Sequence, residues 1–492
     1  MIAAHLPALQ VVVPLFSATI CALFRRGPIA WAVALAVSWA MAIVSILLLW
    51  RVLAEGTISY HLGSWPPPWG IEYRVDVANA FVLLLVTFVN AVIIPYARRS
   101  VAAEIPEDRV GWFYAAYLLS FAGLLGIAIT GDAFNIFVFL EISSLSSYVL
   151  IAMGRDRRAL IAAFQYLIMG TIGATFIVVG VGLLYLMTGT LNLVDIAERL
   201  PSVKSTRPVI AALAFLTVGI CLKLALFPLH LWLPNAYAFA PSVATAFLAA
   251  TATKVAIYLL LRFFFSVFGA SLVFDALPLR EIFIGLSLAA ITASSVVAMF
   301  QHDVKRMLAY SSLAQIGFIT LGIGMLSETG LTGAIVHLFN HGVMKGALFL
   351  LVGGVAFRLG GVQIGDFAGL GRRMPLTAFG VTVAAVSMVG GPGTVGFISK
   401  WYLALGALEL GWWWLVAAIL VGSLLTLVYA WRLVEAMYLR PAPDGAAQAE
   451  APLSLLVPSL VLVVACVYFG FDTTLTAEIA ARAAATLLEG VR

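Results

Sequence analysis

Charge is what this chain has least of. Asp, Glu, Lys and Arg make up 10% of its 492 residues, against 63% hydrophobic residues, and the mean hydropathy is +1.07. That composition cannot supply a solvated shell around a soluble core, so a soluble globular protein is excluded and a polytopic membrane protein is expected. Cysteine is nearly absent too. Cys21, Cys221 and Cys466 lie far apart within apolar runs, without CxxC or Cys/His spacing, which argues against a disulfide framework, a metal cluster or a haem attachment. No glycine motif opens a helix after a strand, so no nucleotide site is indicated. The expectation is a chain with no cofactor, no bound metal and no bond chemistry of its own. The first apolar run lacks a basic n-region and cleavage site and reads as a retained helix.

Long apolar runs are plentiful. Windows of about 20 residues, enough to span a ~30 Å hydrocarbon layer, recur fourteen times: 6–24, 28–50, 76–96, 111–130, 132–153, 159–187, 209–236, 241–265, 280–300, 307–326, 330–357, 375–408, 411–438 and 452–471. The net charge of +5 sits in the short loops between them and sets topology rather than nucleic-acid binding. Sorting the loop Lys and Arg residues puts fifteen on one side, including Arg25, Arg98, Arg155, Lys305 and Arg372, and nine on the other, including Arg74, Arg262 and Arg492. The richer side is expected inside, which places both termini outside a cell (inner) membrane. Loop 51–75, with Trp65, three prolines and Trp69, is expected to form an extended cap on the outer interface.

Two spans contain breakers. Pro228 and Pro234 interrupt 209–236, and Gly390, Gly391, Pro392 and Gly393 interrupt 375–408. Non-helical backbone at membrane depth survives only where protein buries it or it lines a wet cavity. Each break has a lysine beside it, Lys223 and Lys400, and their separation approximates that between the starts of spans four and nine. Two five-helix repeats are expected, which an odd number of crossings makes inverted. The corresponding division is 1–110 for three leading helices, 111–265 and 266–440 for the repeats, and 441–492 for a last span and a short amphipathic helix.

Five ionisable residues lie within the spans: Glu141, Lys223, Lys254, Lys345 and Lys400. A Lys or Glu at the centre of a membrane helix costs roughly 2.5–3.5 kcal/mol, so five together point to a polar interior and an ion path. Glu141 has a charge that can respond to a neighbouring cation; the alternative is a carboxylate pinned by Ser143, Ser144 or Ser147 for packing. Lysine can exchange a proton where arginine cannot, although Lys223 could instead serve carbonyls freed by the Pro228 break. His337, His341 and Lys345 recur at four-residue intervals on one helical face, a plausible proton wire. A metal pair at those histidines lacks a third ligand, and packing remains open for one of them. The segment from His302 to Gln315 could gather protons or anchor the helix to headgroups. His5, His61 and His230 are expected at interfaces or caps.

Lys223-Leu-Ala-Leu-Phe-Pro-Leu-His-Leu-Trp-Leu-Pro234, Asp303-Val-Lys-Arg-Met-Leu-Ala-Tyr-Ser-Ser312, His337 to Phe349, and Gly396-Phe-Ile-Ser-Lys-Trp-Tyr402 together resemble one family. It is that of the antiporter-like subunits of respiratory complex I, membrane-bound hydrogenases and Mrp-type cation/proton antiporters. Within it the chain is most similar to the D-type subunits of the Mrp antiporters, on Asn340-His341 to Lys345, Ala240-Pro241-Ser242 to Thr253-Lys254, and a lysine at 400. The resemblance implies fourteen helices in two inverted units, a Glu141–Lys223 pair, a bridging Lys254 with histidines, and a terminal Lys400. Two positions depart from the usual pattern: Asn235 stands where an aspartate is common, and Gly391-Pro392-Gly393 replaces a double proline. The lack of a long lateral helix after the last span argues against the largest family members.

The function expected is proton translocation within a multisubunit antiporter exchanging Na+ or another monovalent cation, with other membrane subunits as partners. The alternative is the proton-pumping subunit of a complex I-like or hydrogenase-like redox enzyme. A third reading, a scaffold with vestigial lysines, is opposed by a titratable residue at every axis position.

Overall fold

A computed structural model describes residues 2–24, 26–275, 277–443 and 449–489; Arg25 and Arg492, two of the loop cations counted above, lie outside the described residues. Apolar runs too long and continuous for strands fold as helices, because a helix satisfies its backbone within the segment. In chain order they are α1 (Leu6–Leu23), α2 (Gly27–Glu55), a hairpin of β1 (Ile58–His61) and β2 (Glu72–Val75), α3 (Val77–Glu104), α4 (Val110–Ile129), α5 (Ala133–Ala152), α6 (Arg158–Thr188), α7 (Leu193–Arg199), α8 (Arg207–Leu224), α9 (Trp232–Phe239) and α10 (Ser242–Leu261). There follow α11 (Ala270–Asp275), α12 (Leu279–Met299), α13 (Val304–Met325), α14 (Glu328–Leu359), α15 (Leu370–Arg373), α16 (Pro375–Val389), α17 (Val395–Glu409), α18 (Trp413–Tyr438), α19 (Leu453–Phe471) and α20 (Ile479–Glu489). Thirteen of these helices are long and apolar enough to cross a membrane. The half-helices α16 and α17 together fill the remaining expected span.

Loop 51–75 differs from the extended cap expected of it. Helix α2 runs on to Glu55 and stops at Gly56, whose φ of 88° suits glycine. The chain then folds back as an antiparallel hairpin pairing Ile58 with Val75 and His61 with Glu72. Trp65 and Trp69 stay exposed at its tip. Short α7 and α11 also occupy stretches read as plain loops.

Both expected breaks are present. Helix α8 ends at Leu224 with Ala225 left-handed (φ 59°), and the Leu222 carbonyl accepts from the Trp232 indole at 3.0 Å. Helix α16 ends at Gly390 (φ 96°). There α17 turns back so closely that a Cβ on Gly396 would stand 1.7 Å from the Ser387 carbonyl oxygen.

Helix α14 is buried over most of its length and packs on α3, α10, α13, α16, α17, α19 and α20. Around it, two backbone clasps match one for one. Leu193 N–H donates to Gly131 O and Ala133 N–H to Leu191 O; likewise Ile364 N–H donates to His302 O and Val304 N–H to Val362 O. Asp132 and Asp303, at the centres of these clasps, cap α5 and α13 through the N–H groups of Asn135 and Arg306. The first clasp touches the hairpin, through Gly131 N–H to Glu72 O. The second lies an odd number of crossings later and therefore on the opposite face. Burial pushes both capping carboxyl groups up, against the lowering effect of the N–H groups they accept from.

Gly396→Ala is expected to destabilise the fold by about 1–3 kcal/mol or more, the usual cost of overpacking. Gly285→Ala, where nothing lies within 4 Å of the added methyl, should be tolerated. Melting temperatures of the two variants in mild detergent test the difference.

Candidate functional site: a buried polar axis

Helices α5 and α8 bring the first pair together. Lys223 is buried in the last turn of α8, where the helix dipole favours a cation. Its Nζ stands 3.8 Å from Glu141 Oε1 and donates to Ser144 Oγ at 2.9 Å. The carbonyls of the Pro228 break are not its partners, so that alternative does not hold here. Nor is Glu141 pinned by serines: Ser147 donates to Ser143 O, and among the described residues Glu141 Oε1 meets no hydrogen-bond donor. A quarter of the Glu141 side chain is exposed, on the same side of α5 as Phe134, Val138 and Leu145, which are also exposed.

A cavity of about 30 Å³, room for a water or two, lies between Lys223 and Ala252, Val255 and Ala256 of α10. On a neighbouring face of α10, Lys254 has no exposed surface and donates to Ala249 O and Thr253 Oγ1. It is near enough to act electrostatically on His337, His341 and Lys345. Gly342 makes that approach possible, because a Cβ there would meet Ala250 O at 2.9 Å.

The α14 stripe forms as the spacing predicts. The rings of His337 and His341 are nearly parallel with centroids 6.1 Å apart. Nδ1 of His337 bonds Ser399 Oγ at 2.7 Å and Nε2 bonds Gln315 Oε1 at 3.0 Å. Among the described residues neither nitrogen of His341 has a partner, and no group of three or more His, Cys, Asp or Glu is placed to hold a metal. Lys345 donates to Leu308 O at 3.0 Å and to Ser311 Oγ, with Met388 Sδ 3.4 Å away.

Lys400 ends the line. From α17 it reaches back across the second break to the C-terminal carbonyls of α16, Met388 O at 3.1 Å and Val389 O at 2.8 Å, and to Ser423 Oγ at 3.1 Å. Those carbonyls carry the negative end of the α16 dipole. Its Nζ also lies 4.6 Å from the centre of the Phe318 ring. The use proposed for Lys223, serving carbonyls freed by a break, is thus found at Lys400.

Other residues fall differently from expectation. His230, expected at an interface or cap, is buried at the break and stacks on Phe227 at 5.1 Å. Lys305 does not reach out to headgroups; it is buried, bonding Ser242 Oγ at 3.2 Å, and lines a cavity of about 290 Å³ with Glu104 and Arg155. Asn235 bonds Gln165 Oε1 at 2.8 Å. Ser399 and Ser423 received no role from the sequence, and Ser311 and Gln315 only as part of the segment from His302, although hydroxyls and an amide in apolar spans were a usable signal.

The chain matches the family profile described as NADH:quinone oxidoreductase/Mrp antiporter, TM, over residues 130–426. It is 43% identical to the N subunit of the NADH-quinone oxidoreductase of Desulforudis audaxviator, over 95% of this chain and 96% of the relative. It is 31% identical to the D subunit of the Na(+)/H(+) antiporter of Alkalihalophilus pseudofirmus, over 88% and 86%. Among solved structures, a chain of the membrane-bound sulfane sulfur reductase, an archaeal respiratory membrane complex, superposes with a TM-score of 0.90 at 29% identity, covering 99% of this chain and 98% of that one.

Burying an ion costs several kcal/mol in lost hydration, and among the described residues Lys345 has hydroxyl, carbonyl and thioether partners but no carboxylate to offset it. Lys345→Met is therefore expected to keep or raise the melting temperature. A fall of several degrees would mean that the ammonium holds the fold together.

Proposed function

The chain belongs to the NADH:quinone oxidoreductase/Mrp antiporter transmembrane family, and from that premise we propose that it is a proton-translocating subunit of a multisubunit membrane complex. The observation that carries the reading is the row of titratable groups within the spans, Glu141–Lys223, Lys254, His337/His341/Lys345 and Lys400, with a broken helix beside Lys223 and another beside Lys400. Each lysine is met by hydroxyl or carbonyl oxygens that solvate an ammonium, and among the described residues Lys223 alone of the four also has a carboxylate beside it. Protons pass along this row while the backbone stays in place, and the chain acts as a transport subunit. The matched clasps around Asp132 and Asp303 support two inverted units, residues 111–265 and 266–440, with 1–110 and 441–492 flanking them. Both termini lie outside, in a cell membrane.

Partners are other membrane subunits. The exposed strip of α5 bearing Phe134, Val138, Glu141 and Leu145 would leave a carboxylate facing lipid unless another protein covered it. The identity of 43% with an NADH-quinone oxidoreductase N subunit, over nearly the whole length of both chains, favours a redox-driven assembly. The second reading, a Na+/proton antiporter, is supported by the relative named as an antiporter's D subunit and by the lysine at 400.

Glu141→Ala, Lys223→Ala and Lys400→Ala are each expected to abolish proton flux in membrane vesicles while the complex still assembles. Normal flux in all three would leave only the scaffold. Mass spectrometry of the complex purified in mild detergent separates the two assemblies. Flavin or iron–sulfur subunits identify the redox machine, and small membrane subunits without redox proteins identify the antiporter.

A further inference from the structure

One buried charged cluster lies off this axis. On the hairpin face, the outer side in the topology proposed, a cavity of about 370 Å³ opens between β2, α3, α7 and the end of α10. Arg74, Asp76, Glu198, Tyr258 and Arg262 are among the residues that line it. At its floor Arg262 Nη2 stands 2.7 Å from Asp76 Oδ2, with both side chains about nine-tenths buried. The same guanidinium donates from Nε and Nη2 to the Tyr258 hydroxyl at 3.1 and 3.0 Å, and from Nη1 to Ser266 Oγ at 3.2 Å. Asp76 caps α3, its other oxygen accepting from Asn79 N–H at 3.1 Å.

Three features set this cluster apart from a simple tie between α3 and α10. Lys254, Tyr258 and Arg262 follow one another at four-residue intervals, so they share a face of α10, with the tyrosine between the cavity and a lysine that has no exposed surface. The α-helix gives way to a π turn, Arg262–Val267, at the arginine itself, a distortion found mostly at functional sites. A buried ion pair is also a poor way to hold two helices, because desolvation consumes most of its attraction.

We propose that Tyr258, Arg262 and Asp76 form a gate between this cavity and Lys254, giving the polar axis a water-accessible opening on the hairpin face. With the pair closed, Arg262 covers the tyrosine and water stops at the cavity floor. When the guanidinium leaves Asp76 for the cavity, water descends one helical turn. The Lys254 ammonium, turned towards Ala249 O while the gate is shut, swings back to meet that water and passes it a proton, giving hydronium and the neutral amine. Parting a buried pair is costly, so the gate stays shut unless a change on the axis opens it. This inference rests on proton translocation along the axis.

The test is thiol accessibility in the assembled complex, in sealed vesicles with the hairpin face outward, using a negatively charged, membrane-impermeant methanethiosulfonate. The native cysteines are buried. Lys254→Cys alone should label slowly, and adding Asp76→Asn, which retains a capping side chain, should speed labelling at least tenfold. Arg262→Lys in place of Asp76→Asn should keep the rate low. Ala197→Cys, in the cavity wall, should label quickly in either background. Equal rates at position 254 with and without Asp76→Asn, or an unlabelled Ala197→Cys, would overturn the gate. Labelling needs no turnover, so its outcome is independent of the flux lost in Lys223→Ala, which reports on translocation itself.

Discussion

An ammonium withdrawn from water must find oxygen, and much of this architecture supplies it. The four lysines of the axis are buried among helices whose backbone groups are already used within each helix. Breaking a helix frees carbonyls at a chosen depth, and Lys400 takes two of them at the end of α16. Lys223 follows the other route, with a carboxylate and a hydroxyl from α5. Lys345 depends on the face of α13, where Ser311 and the Leu308 carbonyl stand opposite it. The break and the serines answer the same electrostatic demand, which Lys254 meets within its own helix at Ala249 O and Thr253 Oγ1.

The two halves answer it unequally. Counted from the caps Asp132 and Asp303, the position of Glu141 on α5 is taken on α13 by Ser312, one of the buried hydroxyls there. Counted from Asn192 and Gln363, the partners of those caps, the position of Lys345 on α14 is taken on α6 by Ala174. At these matched positions the elements of one clasp carry the carboxylate and those of the other an ammonium, while the four axis lysines lie two and two, Lys223 and Lys254 on α8 and α10, Lys345 and Lys400 on α14 and α17.

Much of this was legible in the sequence, and the limits are physical. Fourteen apolar runs and two sets of breakers predict the helices, because in lipid the backbone has so few alternatives. The i, i+4 spacing of His337 and His341 predicts their stacking, a local consequence of helical geometry. Partner choice was harder. The kind of partner expected for Lys223, carbonyls freed at a break, is found at Lys400 instead, because Lys223 precedes its break on α8 whereas Lys400 follows its break on α17. For the same reason the separation of the two lysines differs from that of the two clasps at Asp132 and Asp303. Gln315 as a partner of His337, and Asp76 as a partner of Arg262, join residues distant in sequence. Neither pairing can be read without knowing which helix faces lie together.

The shortage of acids gives the axis its sensitivity. Among the described residues along it, only Glu141 offers a carboxylate to four lysines and two histidines. Two like charges 4 Å apart at an effective dielectric constant of 20 repel by about 4 kcal/mol, so neighbouring groups cannot charge independently. Lys254 acts on His337, His341 and Lys345 together, so its charge state bears on the whole stripe, and Lys400 acts on His337 from the far side. With a carboxylate beside every lysine the pairs would be mutually neutral and the coupling would fade. The same scarcity leaves Glu141, at the exposed strip of α5, as the point where a neighbouring subunit's charge can enter the row.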